Sequence, residues 1–205
     1  MRSQVDVKSR GAKPAVRRVT RRDHGAVDRV LRAAFTAEGP AIVEVVAALR
    51  ERTLVRVELV GAVGGEVAAY VALSHAWLDA RPRLVDVLVL SPLAVDPAQQ
   101  HRGLGSALLA SALAEADALG APLVFLEGDP GYYRHRGFEP ARARGFVPPT
   151  VRIPGDAFQV AVLPAREEWM TGALVYPDVW WERDLAGLRD PLLAELELRV
   201  TSDSR

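Results

Sequence analysis

The feature that most constrains the fold is a short glycine-containing loop in the middle of the chain. The loop, residues 100–106, follows an apolar run at 87–90 and precedes a helix-like pattern over 107–119. When a strand leads through a loop into a helix, the backbone N–H groups at the start of the helix have no intrahelical partner. The helix dipole favours an anion at the same place. Gly103 and Gly105 remove Cβ atoms where a phosphate must approach closely. The loop therefore predicts a site for a phosphorylated ligand.

The order of the predicted elements indicates a mixed α/β fold. A strand, two helices and a hairpin come first, and the next strand, at 84–95, contains Pro92. Proline cannot donate to a sheet ladder, so we expect a bulge or lost pairing there. The loop and its helix lead to a short buried strand at 122–126, of the kind found in parallel pairing. Residues 84–126 thus predict a crossover in a mixed sheet flanked by helices, and a last helical pattern covers 185–198.

Composition excludes several functional classes. The chain has 205 residues, is 49% hydrophobic and carries 26 basic and 26 acidic residues, which suits one core and argues against general nucleic-acid or membrane-surface binding. Residues 1–14 predict a basic tail that is solvated, since no aromatic residues are interleaved to stack on bases. No apolar run reaches the ~20 residues of a membrane span. The basic N-terminus lacks the apolar segment of a secretory signal, so we expect a cytoplasmic protein.

Three kinds of phosphate-binding loop compete for residues 100–105. A P-loop requires a lysine after its second glycine, and no lysine follows Lys13. A dinucleotide-binding fingerprint requires a third glycine, but Leu108 stands at that position and the loop lies far from the first strand. The third pattern, Gln/Arg-x-x-Gly-x-Gly/Ala, is met at every fixed position. It is the pyrophosphate loop of the GNAT superfamily of N-acetyltransferases, which this sequence resembles.

Features on both sides of the loop carry the same resemblance. Pro92 is consistent with the bulge by which GNAT proteins splay two parallel strands apart to hold acyl-CoA. Residues 132–138 resemble the family's Tyr-x-x-x-Gly-Phe segment, and residues 126–133 are similar to those of one bacterial branch of GNAT acetyltransferases. The strong resemblance spans about residues 84–146.

The resemblance implies a GNAT fold that uses acetyl-CoA as its cosubstrate. It implies an acetyltransferase domain at 15–165 and a C-terminal extension at 166–205 that packs on the domain or on a partner, and it is compatible with a homodimer. The splayed strand is expected to bind the pantetheine arm and the loop the pyrophosphate, with Arg102 adding charge. The implied ligands are Leu93, Ala94 and Val95 on the strand, and Gln100, His101, Arg102, Gly103, Leu104, Gly105 and Ser106 in the loop.

The residue types allow direct transfer of an acyl group to an amine. The chain has no cysteine and no Gly-x-Ser-x-Gly elbow, which leaves attack on the bound thioester by a primary amine of a small molecule or peptide. That reaction needs donors for the oxyanion and a proton for the leaving thiolate. Tyr133 stands four residues before Gly137, where the family places the tyrosine that protonates the thiolate. Tyr133 is therefore the implied general acid, and Tyr132 is the alternative.

The general base and the activity itself leave alternatives open. The candidate bases on or beside the central strands are Glu66, His75, Asp86, Glu127 and Asp129, and a water chain could replace them all. The histidines have no ligand-like spacing, so no metal site is expected. The second function that the sequence allows is an acyl-CoA-binding sensor or interaction module without transferase activity.

Overall fold

A computed structural model describes residues 15–188 and 193–194 of the chain. The predicted basic tail at 1–14 lies outside the described residues, as does most of the helix predicted over 185–198. Within that segment residues 185–188, which include Gly187 with a φ of 73°, are not helical, whereas residues 193–194 are. None of the described helices is long and apolar enough to cross a membrane.

The first half of the described chain forms a strand, two helices and a long three-stranded meander. Its elements are β1 (Ala15–Arg18), α1 (His24–Phe35), α2 (Gly39–Glu51), β2 (Val55–Val63), β3 (Glu66–Ala80) and β4 (Leu84–Val95). The second half alternates helices with shorter strands. Its elements are α3 (Leu104–Ala118), β5 (Leu123–Glu127), α4 (Pro130–Tyr133), β6 (Glu139–Pro140), β7 (Phe146–Val147), β8 (Phe158–Val162), β9 (Gly172–Val175) and α5 (Asp178–Glu182).

These strands form one mixed sheet with helices on both faces, as predicted. The strand order is β1-β2-β3-β4-β5-β8-β6, with β9 added to β3 and β7 added to β9. The pairing is antiparallel except between β4 and β5 and between β7 and β9. Helices α1 and α2 cover one face of the sheet and α3 covers the other, and each face has its own apolar cluster.

Helix α3 anchors the glycine loop to the sheet. Its sequence is rich in alanine and leucine, which are strong helix formers. The helix begins after Gly103, which adopts a φ of 81°. Its buried positions follow helical spacing and pack on the sheet; they include Leu104, Leu108, Leu109, Ala112 and Ala116. The burial of this stripe holds the start of α3 beside the end of β4.

Strand β4 contains the predicted bulge, and the sheet opens beyond it. Val71 of β3 pairs with Leu93, whereas Leu73 pairs with Leu90, so β4 carries one extra residue at the cis Ser91–Pro92 step. The parallel ladder between β4 and β5 consists of two pairs and ends at Val89 and Phe125. Beyond Val89 and Phe125 the two strands therefore diverge, as the resemblance implied.

Strands β9 and β7 curl the sheet back on itself on the α1/α2 face. β9 pairs with the end of β3, and Phe146 of β7 meets the ring of Phe125 on β5 at 5.1 Å between centroids. Phe158 of β8 stacks on the same Phe125 ring at 5.5 Å. Part of the segment after residue 165 thus packs into the sheet, and the division of the chain at that residue stays a prediction.

We expect Gly172→Ala to destabilise the protein by about 2–3 kcal/mol, because Gly172 adopts a φ of 145° and an added Cβ would overlap the carbonyl of Asp79. Urea unfolding measures this loss. Gly25→Ala is the matched control: Gly25 lies in α1 with open space around it, so alanine should stabilise the protein by about 0.5 kcal/mol. Equal midpoints for Gly172→Ala and the wild type would contradict the β3–β9 pairing.

Candidate active site

A cleft of about 650 Å³ opens where β4 and β5 diverge. The glycine loop and the start of α3 form one wall, and the turn after β5 together with α4 forms the other. The residues that line it are Leu93, Val95, Gln99, Gln100, His101, Gly103, Leu104, Gly105, Ser106, Asp129, Tyr132, Tyr133 and Arg136. Most of the residues that the sequence singled out are thus brought together in one place.

The exposed edge of β4 supplies backbone groups to the cleft at alternate residues. The N–H of Asp96 donates to the carbonyl of Ala68 at 2.8 Å, which makes this a hydrogen-bonded pair of the β3–β4 ladder. In an antiparallel ladder such pairs recur every second residue, so Ala94 also bonds to β3, whereas Leu93 and Val95 direct their N–H and C=O groups away from β3. These groups face the gap between β4 and β5, where the carbonyl of Val95 accepts a hydrogen bond from Nε2 of Gln100 at 3.3 Å.

Two of the predicted site residues lie outside the cleft wall. Ala94 pairs with Tyr70 in the ladder, and its side chain is buried on the α1/α2 face. Arg102 donates from Nη1 to Oε1 of Gln99 at 3.0 Å and is exposed. Ala94 points away from the cleft because side chains alternate along a strand. Arg102 lies outside the cleft because of the direction that the loop takes, which sequence spacing does not reveal.

The loop presents the N-terminus of α3 to the cleft. His101 and Gly103 have φ values of 60° and 81°, and this left-handed backbone turns the chain directly into the helix. The N–H groups of Leu104, Gly105 and Ser106 lie in the first turn of α3, where they have no intrahelical acceptor. Together with the helix dipole they make this wall favourable for an anion.

Arg136 adds a positive charge to the same wall, and the sequence argument missed it. Its Nε donates to Oγ of Ser106 at 2.9 Å, and its Nη1 donates to the carbonyl of Tyr132. The guanidinium lies 3.9 Å from the centroid of the Tyr132 ring. Its position directly before Gly137 in the Tyr-x-x-x-Gly-Phe segment is the only signal that could have singled it out.

The two neighbouring tyrosines point to different parts of the cleft. The hydroxyl of Tyr132 would lie 2.5 Å from a Cβ placed on Gly105, so it reaches the first turn of α3. The ring of Tyr133 lies against Gly128, where its Cε2 would be 2.5 Å from an added Cβ, and it therefore sits at the end of β5. Burial raises the pKa of Tyr133, so its phenol is neutral at physiological pH.

The candidate bases are widely separated in the structure. His75 and Asp86 pair with each other at 2.9 Å between Nε2 and Oδ1, near the opposite end of β4 from the cleft. Glu66 stands at the β2–β3 turn, where it pairs with Val63. Among the candidate bases, only Glu127 and Asp129 lie next to the opening, where β5 diverges from β4.

Asp129 and Glu127 have different surroundings. Asp129 accepts a hydrogen bond from the N–H of Gly131 at 2.8 Å and caps α4. Glu127 is half-buried and accepts a hydrogen bond from the hydroxyl of Tyr176 at 2.6 Å. Burial raises the pKa of Glu127, although the Tyr176 bond and the charge of Arg152 act in the opposite direction.

The described residues contain no group of three or more histidine, aspartate or glutamate side chains that could hold a metal ion. The groups that the cleft itself supplies are a helix N-terminus with an arginine, a strand edge that β5 does not pair, and a half-buried phenol.

Comparison with known proteins agrees with this geometry. Residues 51–140, which include β3, β4, the loop, α3 and the tyrosine segment, match the sequence model of the acetyltransferase (GNAT) domain. A comparison with curated proteins finds no match.

Solved structures of GNAT proteins share the fold. A GNAT family N-acetyltransferase (YhbS) from Escherichia coli in complex with CoA has a TM-score of 0.72 and 26% identity, over 87% of this chain and 96% of that chain. A GNAT family acetyltransferase from Brucella melitensis in complex with acetyl-CoA has a TM-score of 0.64 and 26% identity, over 82% of this chain and 97% of that chain. The PaiA N-acetyltransferase from Thermoplasma acidophilum, at 12% identity, shares the fold with a TM-score of 0.51 over 74% of this chain and 99% of that chain.

The splayed β4–β5 pair, the glycine loop and the domain match lead to the same family. Residues 51–140 match the GNAT acetyltransferase domain, and the chain shares the fold of GNAT family N-acetyltransferases that were solved with CoA and acetyl-CoA.

Proposed function

We propose that this protein transfers an acetyl group from acetyl-CoA directly to a primary amine of a small molecule or peptide. The observation that carries the proposal is a single cleft that joins a helix start favourable for an anion, a strand edge that β5 does not pair, and a half-buried phenol. The two relatives from Escherichia coli and Brucella melitensis were solved with CoA and with acetyl-CoA, which supports the same donor here.

The donor would lie along the cleft with its phosphates at the loop. The pyrophosphate would accept hydrogen bonds from the N–H groups of residues 103–106, and Arg136 would supply a charge-assisted bond. The pantetheine arm carries amide groups that match the outward N–H and C=O groups of Leu93 and Val95; at the Val95 carbonyl it would join or replace the hydrogen bond from Nε2 of Gln100. It would therefore extend β4 as an added strand, which is how peptides bind to exposed sheet edges.

The same strand edge would assist the reaction. When the amine attacks the thioester carbonyl, negative charge develops on the carbonyl oxygen. A backbone N–H of Leu93 or Val95 that faces the gap would stabilise this charge without reorganising, because the ladder with β3 holds it in place.

Tyr133 would then protonate the leaving thiolate. The C–N bond forms as the C–S bond breaks, and the sulfur receives the phenol proton of Tyr133. Burial raises the pKa of Tyr133, and the same desolvation raises the pKa of a thiol formed beside it. The phenol thus stays protonated until the thiolate appears, and the transfer proceeds between groups in a similar environment.

The absence of cysteine from the sequence supports direct transfer over an acyl-cysteine intermediate. The cytoplasmic location and the homodimer remain predictions from the sequence. The CoA-binding module without transferase activity is distinguished by turnover, as the first of the following experiments states.

We expect Tyr133→Phe to lower kcat by about 100-fold or more, because the general acid is lost, while the Kd for acetyl-CoA stays within about 3-fold. Amine-dependent release of free CoA measures kcat, and calorimetry measures Kd. Tyr132→Phe is the control, and it should keep kcat within about 5-fold. A wild-type protein that binds acetyl-CoA but acetylates none of a broad panel of amines would favour the binding-module alternative, and unchanged kcat in Tyr133→Phe would contradict the assignment of the acid.

We expect Arg136→Gln to weaken acetyl-CoA binding by about 10-fold, because a charge-assisted hydrogen bond to a phosphate is removed. Binding of the variant should also depend less steeply on salt. Arg102→Gln removes the other arginine near the loop and should change Kd by less than about 2-fold, since Arg102 is exposed, does not line the cleft and bonds the side chain of Gln99. If Arg102→Gln weakens binding as much as Arg136→Gln, the pyrophosphate does not lie where we propose.

A further inference from the structure

Glu127 stands at the open end of β5, on the face of the sheet opposite the donor cleft. It is the last residue of β5 and lies beyond Phe125, where the β4–β5 ladder ends. Side chains alternate along a strand, so Glu127 shares the α1/α2 face with Phe125, whereas Leu126 belongs to the α3 face. The carboxyl therefore borders the same gap as the donor cleft but from its other side.

A tyrosine from the far wall holds the carboxyl in place. Tyr176 follows β9, which the curled sheet brings across the apolar core from β5, and its buried hydroxyl donates to Oε1 of Glu127 at 2.6 Å. Within the described part of the chain, Oε2 of Glu127 has no hydrogen-bond partner. The oriented carboxyl thus retains one oxygen for a donor that arrives from the gap.

Glu127 has one neutral and one cationic neighbour, so the negative charge that an incoming cation meets is its own carboxylate. Its neighbours are the phenol of Tyr176 and the guanidinium of Arg152, which lies 3.7 Å from Asp184 and donates to the carbonyl of Ala186. Burial raises the pKa of Glu127, while Tyr176 and Arg152 lower it. Such a carboxylate is a stronger proton acceptor than an exposed one and still binds an ammonium group.

We propose that Glu127 is the acceptor-side group of the site: its carboxylate binds the primary ammonium of the acceptor and takes a proton from it. This inference rests on the proposed function. It places the amine and Tyr133 on opposite sides of the gap, since Tyr133 packs on Gly128 from the α3 side. An acceptor whose attacking group is an alkylammonium is the substrate class that this arrangement selects.

The proton balance of the reaction follows from these positions. The ammonium gives one proton to Glu127, and the neutral nitrogen forms a C–N bond to the thioester carbon. The C–S bond breaks, Tyr133 gives its proton to sulfur, and the remaining excess proton on nitrogen returns to the phenolate. The proton on Glu127 leaves to solvent through the open side of the carboxyl. The products are the amide, CoA and one released proton.

Two CoA thioethers of equal size test the proposal without knowledge of the acceptor. S-(2-aminoethyl)-CoA places an ammonium beside the position of the reacting carbon, and S-propyl-CoA places a methyl group there. We expect the wild type to bind the ammonium analogue about 10-fold more tightly, because the ammonium bonds to the carboxylate of Glu127. Calorimetry at neutral pH measures both Kd values.

Glu127→Gln should abolish this 10-fold preference and leave the affinity for S-propyl-CoA unchanged, since the glutamine oxygen still accepts the Tyr176 bond. Asp129→Asn, the control at the neighbouring acid, should keep the preference. In the wild type the preference should fall as the pH drops through the pKa of Glu127, because the protonated carboxyl no longer carries the charge that attracts the ammonium. Tyr176 stays neutral and Arg152 stays charged over this pH range, so neither of them causes the change. A purely structural role for Glu127 would leave the ratio of the two affinities unchanged.

The outcomes separate this inference from the proposed function. If neither analogue binds, the proposed acetyl-CoA site is wrong. If both bind with equal affinity to the wild type, or if the preference survives Glu127→Gln, the site exists but Glu127 is not its acceptor-side group.

Discussion

The whole site depends on one extra residue in β4. A regular β4 would continue to pair with β5 beyond Val89 and Phe125, and the gap between the two strands would close. The bulge at Ser91–Pro92 shifts the register of β4 against β3 by one residue while the two strands stay paired on both sides of it, and the parallel ladder to β5 ends at Val89. The result is a strand that is held firmly on one edge and free on the other. Such an edge is a rigid template for a ligand with amide groups.

The gap that the bulge opens connects two faces with different chemistry. On the α3 face lie the helix N-terminus, Arg136 and Tyr133, which suit an anionic, thioester-bearing donor. On the other face lies Glu127, held by Tyr176, which suits a cation. In the proposed arrangement the sheet would thus separate the donor from the acceptor until both reach the gap. The apolar core beneath Glu127 raises its pKa, so the packing that stabilises the fold also adjusts the chemistry of the site.

The parts of this structure that could be predicted are those whose signal lies within a few residues. Pro92 inside an apolar run predicted the bulge, and the glycine loop before an alanine- and leucine-rich stretch predicted the start of α3; the anion site at the loop stays a prediction. These local patterns need no knowledge of distant partners, which is why the mixed sheet and its opening agree with expectation.

The remaining parts depend on contacts between distant residues. β9 has only 4 residues, and its partner on β3 lies far away in the sequence. Arg136 and Ser106 are 30 positions apart, and Glu127 and Tyr176 are 49 positions apart. A periodic sequence pattern does not reveal such pairs, because the two residues of each pair meet only after the sheet has curled. The direction of Ala94 also depends on a distant contact. The ladder with β3 fixes which residues of β4 face the cleft, and it turns Ala94 away from the cleft although the motif implies a ligand there.

The most direct test of this account is a crystal structure of the protein with CoA bound. The account predicts that the pyrophosphate lies within hydrogen-bonding distance of the N–H groups of residues 103–106, and that the pantetheine amides pair with Leu93 and Val95 between β4 and β5. A structure in which CoA binds elsewhere, or in which β4 and β5 close into a continuous ladder with Leu93 and Val95 paired to β5, would contradict it.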